Sequence, residues 1–217
     1  VRVANAAGLP TRAWLTDMNQ VLGRTCGNSL EVLEAVQFLR GESVDPRLLE
    51  VTRRLSAELL VMGSLALDEA TALQQVDLAL SSGRALTQFA RMVAALGGPT
   101  DFVELAEHYL AVAPVQLPVT APRSGWLARM ATRNIGLSVV ELGGGRRKAT
   151  DTIDARVGFT QFAQLGQALQ AGETLAVVHA EDAASAERAR QALLASIDIG
   201  DAPVAPSPVL VSRITDL

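Results

Sequence analysis

Leu15-Thr-Asp-Met-Asn-Gln-Val-Leu-Gly-Arg-Thr-Cys-Gly-Asn-Ser-Leu-Glu-Val-Leu-Glu-Ala-Val-Gln-Phe-Leu39 is the stretch on which the fold turns. It opens inside a short apolar segment, Thr11 to Thr16, which is built around Trp14 and Leu15 and reads as a buried strand. Asp17, Asn19 and Gln20 form its polar end. From Asn28 the pattern becomes helical, with Val32, Val36 and Leu39 on one face. Asn28, followed three positions later by Glu31, has the form of a capping box. A helix ending before Gly8, a short turn, this strand and its polar end form the αβ part of an α/β unit. In such folds ligands lie beyond the carboxyl ends of the strands, which makes Asp17 and Asn19 candidate substrate-proximal residues. Both residue types also end strands through bonds of their own side chains, and that structural reading stands beside the functional one.

Upstream, Val1 to Ala7 reads as the last two turns of a helix stopped at Gly8, with Pro10 barring its continuation. An isolated helix needs about 12 to 15 residues to be even marginally stable, so this segment is expected to continue a longer helix that starts before Val1. Downstream, Asp45 before Pro46 marks a helix start, and Leu48, Val51, Leu55, Leu59 and Met62 form one apolar stripe ending at Gly63. Leu73, Val76 and Leu80 line the next helix, and Leu86, Phe89, Val93 and Leu96 line another before Gly97 and Gly98. A short helix is expected around Phe102, Leu105 and Tyr109. The helices share no motif, so no solenoid repeat is read.

Between Val112 and Pro122 the texture changes to alternating residues interrupted by Pro114, Pro118 and Pro122. The chain is therefore divided into residues 1–112 and 113–217. The second part is expected to hold a helix from Arg133 to Leu142, capped by Thr132 and stopped by Gly143, and strands at Thr174 to Val178 and Val209 to Ser212. An alanine-rich helix, Asp182 to Ser196, lies between those strands, which makes this part an α+β subdomain.

With 217 residues, 49% of them hydrophobic, the chain has material for a real core. A net charge of −4 gives no global attraction to nucleic acid or anionic lipid, and neither partner is expected. No apolar run reaches the roughly 18 to 20 residues that span a bilayer, and a cytoplasmic location is expected. Cys26 is the only cysteine, so there is no internal disulfide, and no nearby base marks it as a nucleophile. Lys148 is the only lysine. Gly143 to Gly145 beside Arg146 and Arg147 has the composition of a phosphate cradle but follows a helix, where the macrodipole presents its negative end. A helix C-cap with basic residues near the last carbonyls fits it better. His108 and His179 lack partners at zinc-ligand spacing and read as structural.

The stretch from Leu15 to Leu39 resembles the strand-loop-helix signature of the thymidine and pyrimidine nucleoside phosphorylases. Asp45-Pro-Arg-Leu, Gly98-Pro-Thr-Asp-Phe-Val-Glu104, Gly143-Gly-Gly-Arg-Arg147, Asp151-Thr-Ile-Asp154 and Leu175-Ala-Val-Val-His-Ala180 resemble the same family in the same order. The resemblance implies the C-terminal part of a large α/β domain followed by a hammerhead-like α+β subdomain. It implies phosphorolysis of thymidine, with inorganic phosphate as co-substrate, no organic cofactor, and a homodimer when full length. The family's phosphate loop and base-gripping residues belong to its N-terminal half and have no counterpart here, so this chain alone is expected to be inactive and to have that half as a partner. A potassium ion is also implied, held by the main-chain carbonyls of Leu22 and Thr25 and by Glu34, although the family usually has alanine at the position of Thr25. By spacing alone Glu34 reads as an ordinary helix carboxylate. A non-catalytic interaction or regulatory module derived from the same fold is the alternative.

Overall fold

The computed structural model describes residues 1–215. Its helices are α1 (Arg2–Ala6), α2 (Asn28–Arg40), α3 (Pro46–Met62), α4 (Glu69–Ser81), α5 (Arg84–Ala95), α6 (Ala106–Tyr109), α7 (Thr132–Val139) and α8 (Ala183–Leu194). Its strands are β1 (Ala13–Thr16), β2 (Val115–Thr120), β3 (Gly125–Met130), β4 (Gly158–Thr160), β5 (Ala168–Leu169), β6 (Thr174–Ala180), β7 (Ile197–Gly200) and β8 (Leu210–Ile214). The mixed α/β class expected from the sequence is the class observed. Among the described residues every strand pairing is antiparallel.

The elements gather into two units. One holds Val1–Asp17, Gln37–Val103 and the tail from Ser207, and the other holds Met18–Val36 and Glu104–Pro206.

In the first unit β1 pairs with β8, placing Trp14 opposite Arg213 and Leu15 opposite Ser212, with a register shift before Thr16. Asp45 caps α3 as its sequence predicts: the carboxylate accepts from the N–H groups of Arg47 at 2.9 Å and Leu48 at 3.2 Å, and Pro46 occupies the first turn, where no N–H is needed. The apolar stripe expected on α3 is not its buried face. Leu55 and Leu59 are 43% and 68% exposed, while Ala57 and Glu58 are buried. The reason is Glu58, whose carboxylate is the acceptor for two arginines and a tryptophan and turns that side of the helix inward. Helix α5 begins after Gly83, which is left-handed at φ +73°, and buries no residue fully; its Phe89 ring lies 6.4 Å from that of Phe102.

The second unit holds two three-stranded sheets, ordered β2-β6-β4 and β5-β3-β7. Alternate residues of β6 (Ala176, Val178 and Ala180) enter a core with Val119, Leu127, Ile135, Phe159, Phe162 and Leu193. Helix α8 is capped by Asp182, which accepts from the Ser185 N–H at 2.7 Å in a reciprocal box. Thr132 does not cap α7: its hydroxyl donates to the Met18 carbonyl, and Ala131 holds the cap position without a side-chain bond. After α7 the backbone widens into one π-turn, Val140–Gly144, ended by Gly143 at φ +97°. Among the described residues no helix is long and apolar enough to cross a membrane.

Candidate functional site

The loop that joins Gln20 to α2 is held within the second unit by backbone pairing. Cys26 and Phe159 exchange both N–H···O bonds, at 2.9 and 2.8 Å. This close approach requires Gly158, at φ +150°, because a Cβ there would lie 2.1 Å from the Cys26 carbonyl oxygen. Two further bonds clamp the loop's middle: the Phe162 N–H donates to the Arg24 carbonyl at 3.2 Å, and Arg24 Nη1 donates to the Phe162 carbonyl at 3.1 Å. Gln20, buried at the loop's start, accepts from the Leu165 N–H at 3.1 Å.

The start of α2 differs in detail from the expected box. Glu31 accepts from the N–H of Gly27 at 3.1 Å, one residue earlier than Asn28, while the Asn28 side chain donates to the Gly144 carbonyl at 2.9 Å. The Ser29 N–H is taken by the Ala155 carbonyl at 2.9 Å. Neighbouring segments thus satisfy helix-start groups that a local box would otherwise serve.

Glu34, half-buried on α2, turns its carboxylate onto this loop. Oε1 accepts from the Arg24 N–H and Oε2 from the Thr25 hydroxyl, both at 2.6 Å. Gly23 makes room for it, since a Cβ at that residue would sit 2.6 Å from each carboxylate oxygen. Among the described residues the carbonyl oxygens of Leu22 and Thr25 accept no hydrogen bond, whereas those of Arg24 and Cys26 are engaged. Glu34 thus lies against the loop that carries Leu22 and Thr25. Two carbonyls and a carboxylate fit a weakly hydrated monovalent cation, whose water shell such oxygens can replace.

Asp17 is buried at the end of β1. Its N–H donates to the Val209 carbonyl at 2.8 Å, and its carboxylate accepts from Arg47 Nη2 at 3.0 Å. Asn19 is exposed. The glycine-rich turn binds its own carboxylates: Arg147 pairs with Glu141, and the N–H groups of Arg147 and Lys148 both donate to Asp151 Oδ2, at 3.0 and 2.9 Å. That arrangement agrees with a helix stop and leaves these donors committed within the turn. Burial, then the charge of Glu31, pushes the Cys26 thiol up to about 11, so it stays protonated at neutral pH. His179 is buried on β6 with Nε2 2.9 Å from the Thr160 hydroxyl and with Nδ1 unpartnered; burial lowers its pKa. His108 is exposed, its ring edge-on to Tyr109.

One polar cluster has no local signal in the sequence. Glu58 accepts from Arg12 Nη1 at 2.6 Å, from Trp14 Nε1 at 3.2 Å, and from Arg213 Nε and Nη2 at 2.8 and 2.7 Å. The Arg54 guanidinium lies 5.5 Å from the Trp14 ring centroid. With both oxygens engaged, Glu58 serves to hold α3, β1 and β8 together.

Comparison with protein families gives a match over part of the chain. Residues 126–200, from β3 to the end of β7, match the family model of the pyrimidine nucleoside phosphorylase C-terminal domain. The segment from Trp126 to Gly200 is thus similar to the C-terminal domain of pyrimidine nucleoside phosphorylases.

Proposed function

We propose that this chain forms part of a thymidine phosphorylase, which converts thymidine and phosphate reversibly to thymine and 2-deoxy-α-D-ribose 1-phosphate. The observation that carries this reading is the match of residues 126–200 to the phosphorylase C-terminal domain. In the reaction a phosphate oxygen bonds to the anomeric carbon as the glycosidic C–N bond breaks; the bonding pair leaves with the base, which takes up a proton. Positioning of the two reactants and stabilisation of the developing charge lower most of such a barrier.

The groups that grip phosphate and base are assigned to an N-terminal half outside these 217 residues. This is supported by the position of Gly143 to Gly145 after a helix rather than before one. The chain alone is then inactive, and its partners are the N-terminal half and, in the full-length enzyme, a second copy. Asn19 is assigned a place near the substrate, with Asp17 holding the strand end through Arg47.

The carbonyls of Leu22 and Thr25 and the carboxylate of Glu34 are assigned to a potassium ion. Once bound, the ion supplies a fixed positive charge at this corner. The protein's part is to hold the oxygens: Cys26 and Phe159 anchor the loop, and Arg24 and Thr25 aim the carboxylate. The test is thymine release by the chain reassembled with its N-terminal half. Phosphate-dependent cleavage of thymidine is expected, and a reassembled protein that binds but does not cleave pyrimidine nucleosides would favour a non-catalytic module.

A further inference from the structure

Within the second unit α8 packs against α7 and the π-turn that follows it, and a cleft of about 170 Å³ opens between them. Ser138, Glu141 and Leu142 line one wall, and Arg188, Ala189 and Ala192 line the other. With Ser185, the second wall recurs at the spacing of one helix face. Two of its members are alanines, whose short side chains leave the space between the helices unfilled. On the opposite wall the π-turn, Val140–Gly144, takes Glu141 and Leu142 out of α-helical register. A cavity of roughly 150 Å³ holds a molecule the size of benzene, so the cleft has room for a small ligand.

We propose that this cleft binds a free α-amino acid with a small apolar side chain, a ligand outside the reaction proposed above. Leu142 and Ala189 are buried and give the cleft an apolar floor. Ser138 is buried beside them; its hydroxyl donates to the Asn134 carbonyl at 2.9 Å, which leaves the oxygen's lone pairs to accept. The charged groups, Glu141 and Arg188, are exposed and form the rim. Among the described residues nothing bonds the Arg188 guanidinium, and Asp182, which feels its charge, is itself bonded by the Ser185 N–H. A guanidinium without a partner offers a fork of donors that matches a carboxylate. Glu141 pairs with Arg147, but both side chains are more than half exposed, and such a surface pair is weak. Its carboxylate keeps acceptor sites for a second donor. One free cation, one carboxylate and a buried acceptor over an apolar floor thus match the carboxylate, ammonium and short side chain that an amino acid carries on one carbon. A simple anion would use Arg188 alone, and a simple amine Glu141 alone.

The experiment titrates the full, isotope-labelled 217-residue chain with L-alanine and follows its amide signals by NMR, beside acetate and ethylammonium as the two halves of the ligand. L-alanine should bind saturably at one site and shift the amides of α7, the π-turn and α8. Acetate and ethylammonium should each bind at least about tenfold more weakly, because each lacks one charge-assisted bond. Arg188→Gln and Glu141→Gln should each weaken L-alanine by a similar factor, and Ala192→Leu, which fills the cleft, should abolish its binding. These positions are exposed or half-buried, so the variants should fold, and their thermal midpoints check that they do. Arg147→Gln removes the outer partner of Glu141 and should leave the affinity unchanged or raise it. Acetate bound as tightly as L-alanine would overturn the proposal in favour of a simple anion site. Wild-type affinity in Ala192→Leu or Arg188→Gln, or no saturable binding by the wild type, would overturn the cleft as an amino-acid site altogether.

Discussion

Glu58 and Arg213 stand 155 positions apart in the chain and meet in two parallel hydrogen bonds, Nε to Oε2 at 2.8 Å and Nη2 to Oε1 at 2.7 Å. The fork geometry makes this a strong pair. Arg12 and Trp14 of the β1 segment complete the shell, so one carboxylate ties together α3, the strand before it and the strand at the far end of the chain.

Glu58→Gln should therefore destabilise the first unit. It removes the charge that two arginines share, yet those arginines are about one-third exposed and can regain water. The expected loss is roughly 2 to 3 kcal/mol, below that for a fully buried pair. Denaturant unfolding of the variant beside the wild type measures it, and a change under about 0.5 kcal/mol would mean that solvent already replaces the cluster.

Two acid-side losses of stability are expected, each with its own owner. Burial raises the Glu58 carboxyl, but hydrogen bonds from Arg213, Arg12 and Trp14 outweigh burial and hold it at about 2. An unfolded glutamate titrates near ~4.3, so this stabilisation is full above that pH and is lost as pH falls from there toward 2. Burial lowers the His179 imidazole from its ordinary 6.5. Its contribution is full above that value and declines as pH falls through the lowered folded-state pKa, because the unfolded state takes up the proton first. Urea midpoints across pH should thus show an upper decline that is missing in His179→Gln and a lower one that is missing in Glu58→Gln.

Gly158→Ala should cost far more than Gly172→Ala. Both glycines have positive φ, at +150° and +88°, but only the first has a carbonyl oxygen, that of Cys26, at 2.1 Å from the would-be Cβ; Gly172 has nothing within 4 Å. The exposed turn should lose about 1 to 2 kcal/mol from backbone strain. Gly158→Ala must also break the Cys26–Phe159 pairing and should lose roughly 3 kcal/mol or more, with weaker cation response, since that pairing anchors the loop carrying Leu22 and Thr25. Thermal unfolding of the two variants, in choline and in potassium chloride, compares them.

Local chemistry was the legible part of this fold. Asp45 before Pro46 predicts the start of α3, and the alanine-rich run after Asp182 predicts α8, because a cap and its helix are neighbours in sequence. Asn28 and Thr132 have the right chemistry for caps, but each side chain bonds to a distant carbonyl, of Gly144 and Met18, and no local pattern marks that choice. The buried face of α3 departs from its apolar stripe for the same reason, since Glu58 on that face meets Arg213 from the other end of the chain. Strands β4 and β5, three and two residues long, are too short to show a period. At the candidate site, Leu22, Thr25 and Glu34 came from resemblance, and the spacing of Glu34 alone pointed to an ordinary surface carboxylate. The parts played by Gly23 and the Arg24 N–H depend on the path of the backbone, which sequence does not display.

Under the proposed function these residues belong to a thymidine phosphorylase whose phosphate and base contacts lie elsewhere in the polypeptide. Phosphate-dependent thymine release is to be measured on the purified 217-residue chain alone and again after its N-terminal half is added. No release above the uncatalysed background is expected from the chain alone, and clear turnover after addition. Turnover by the chain alone, or none after a stable complex has formed, would overturn the proposed function.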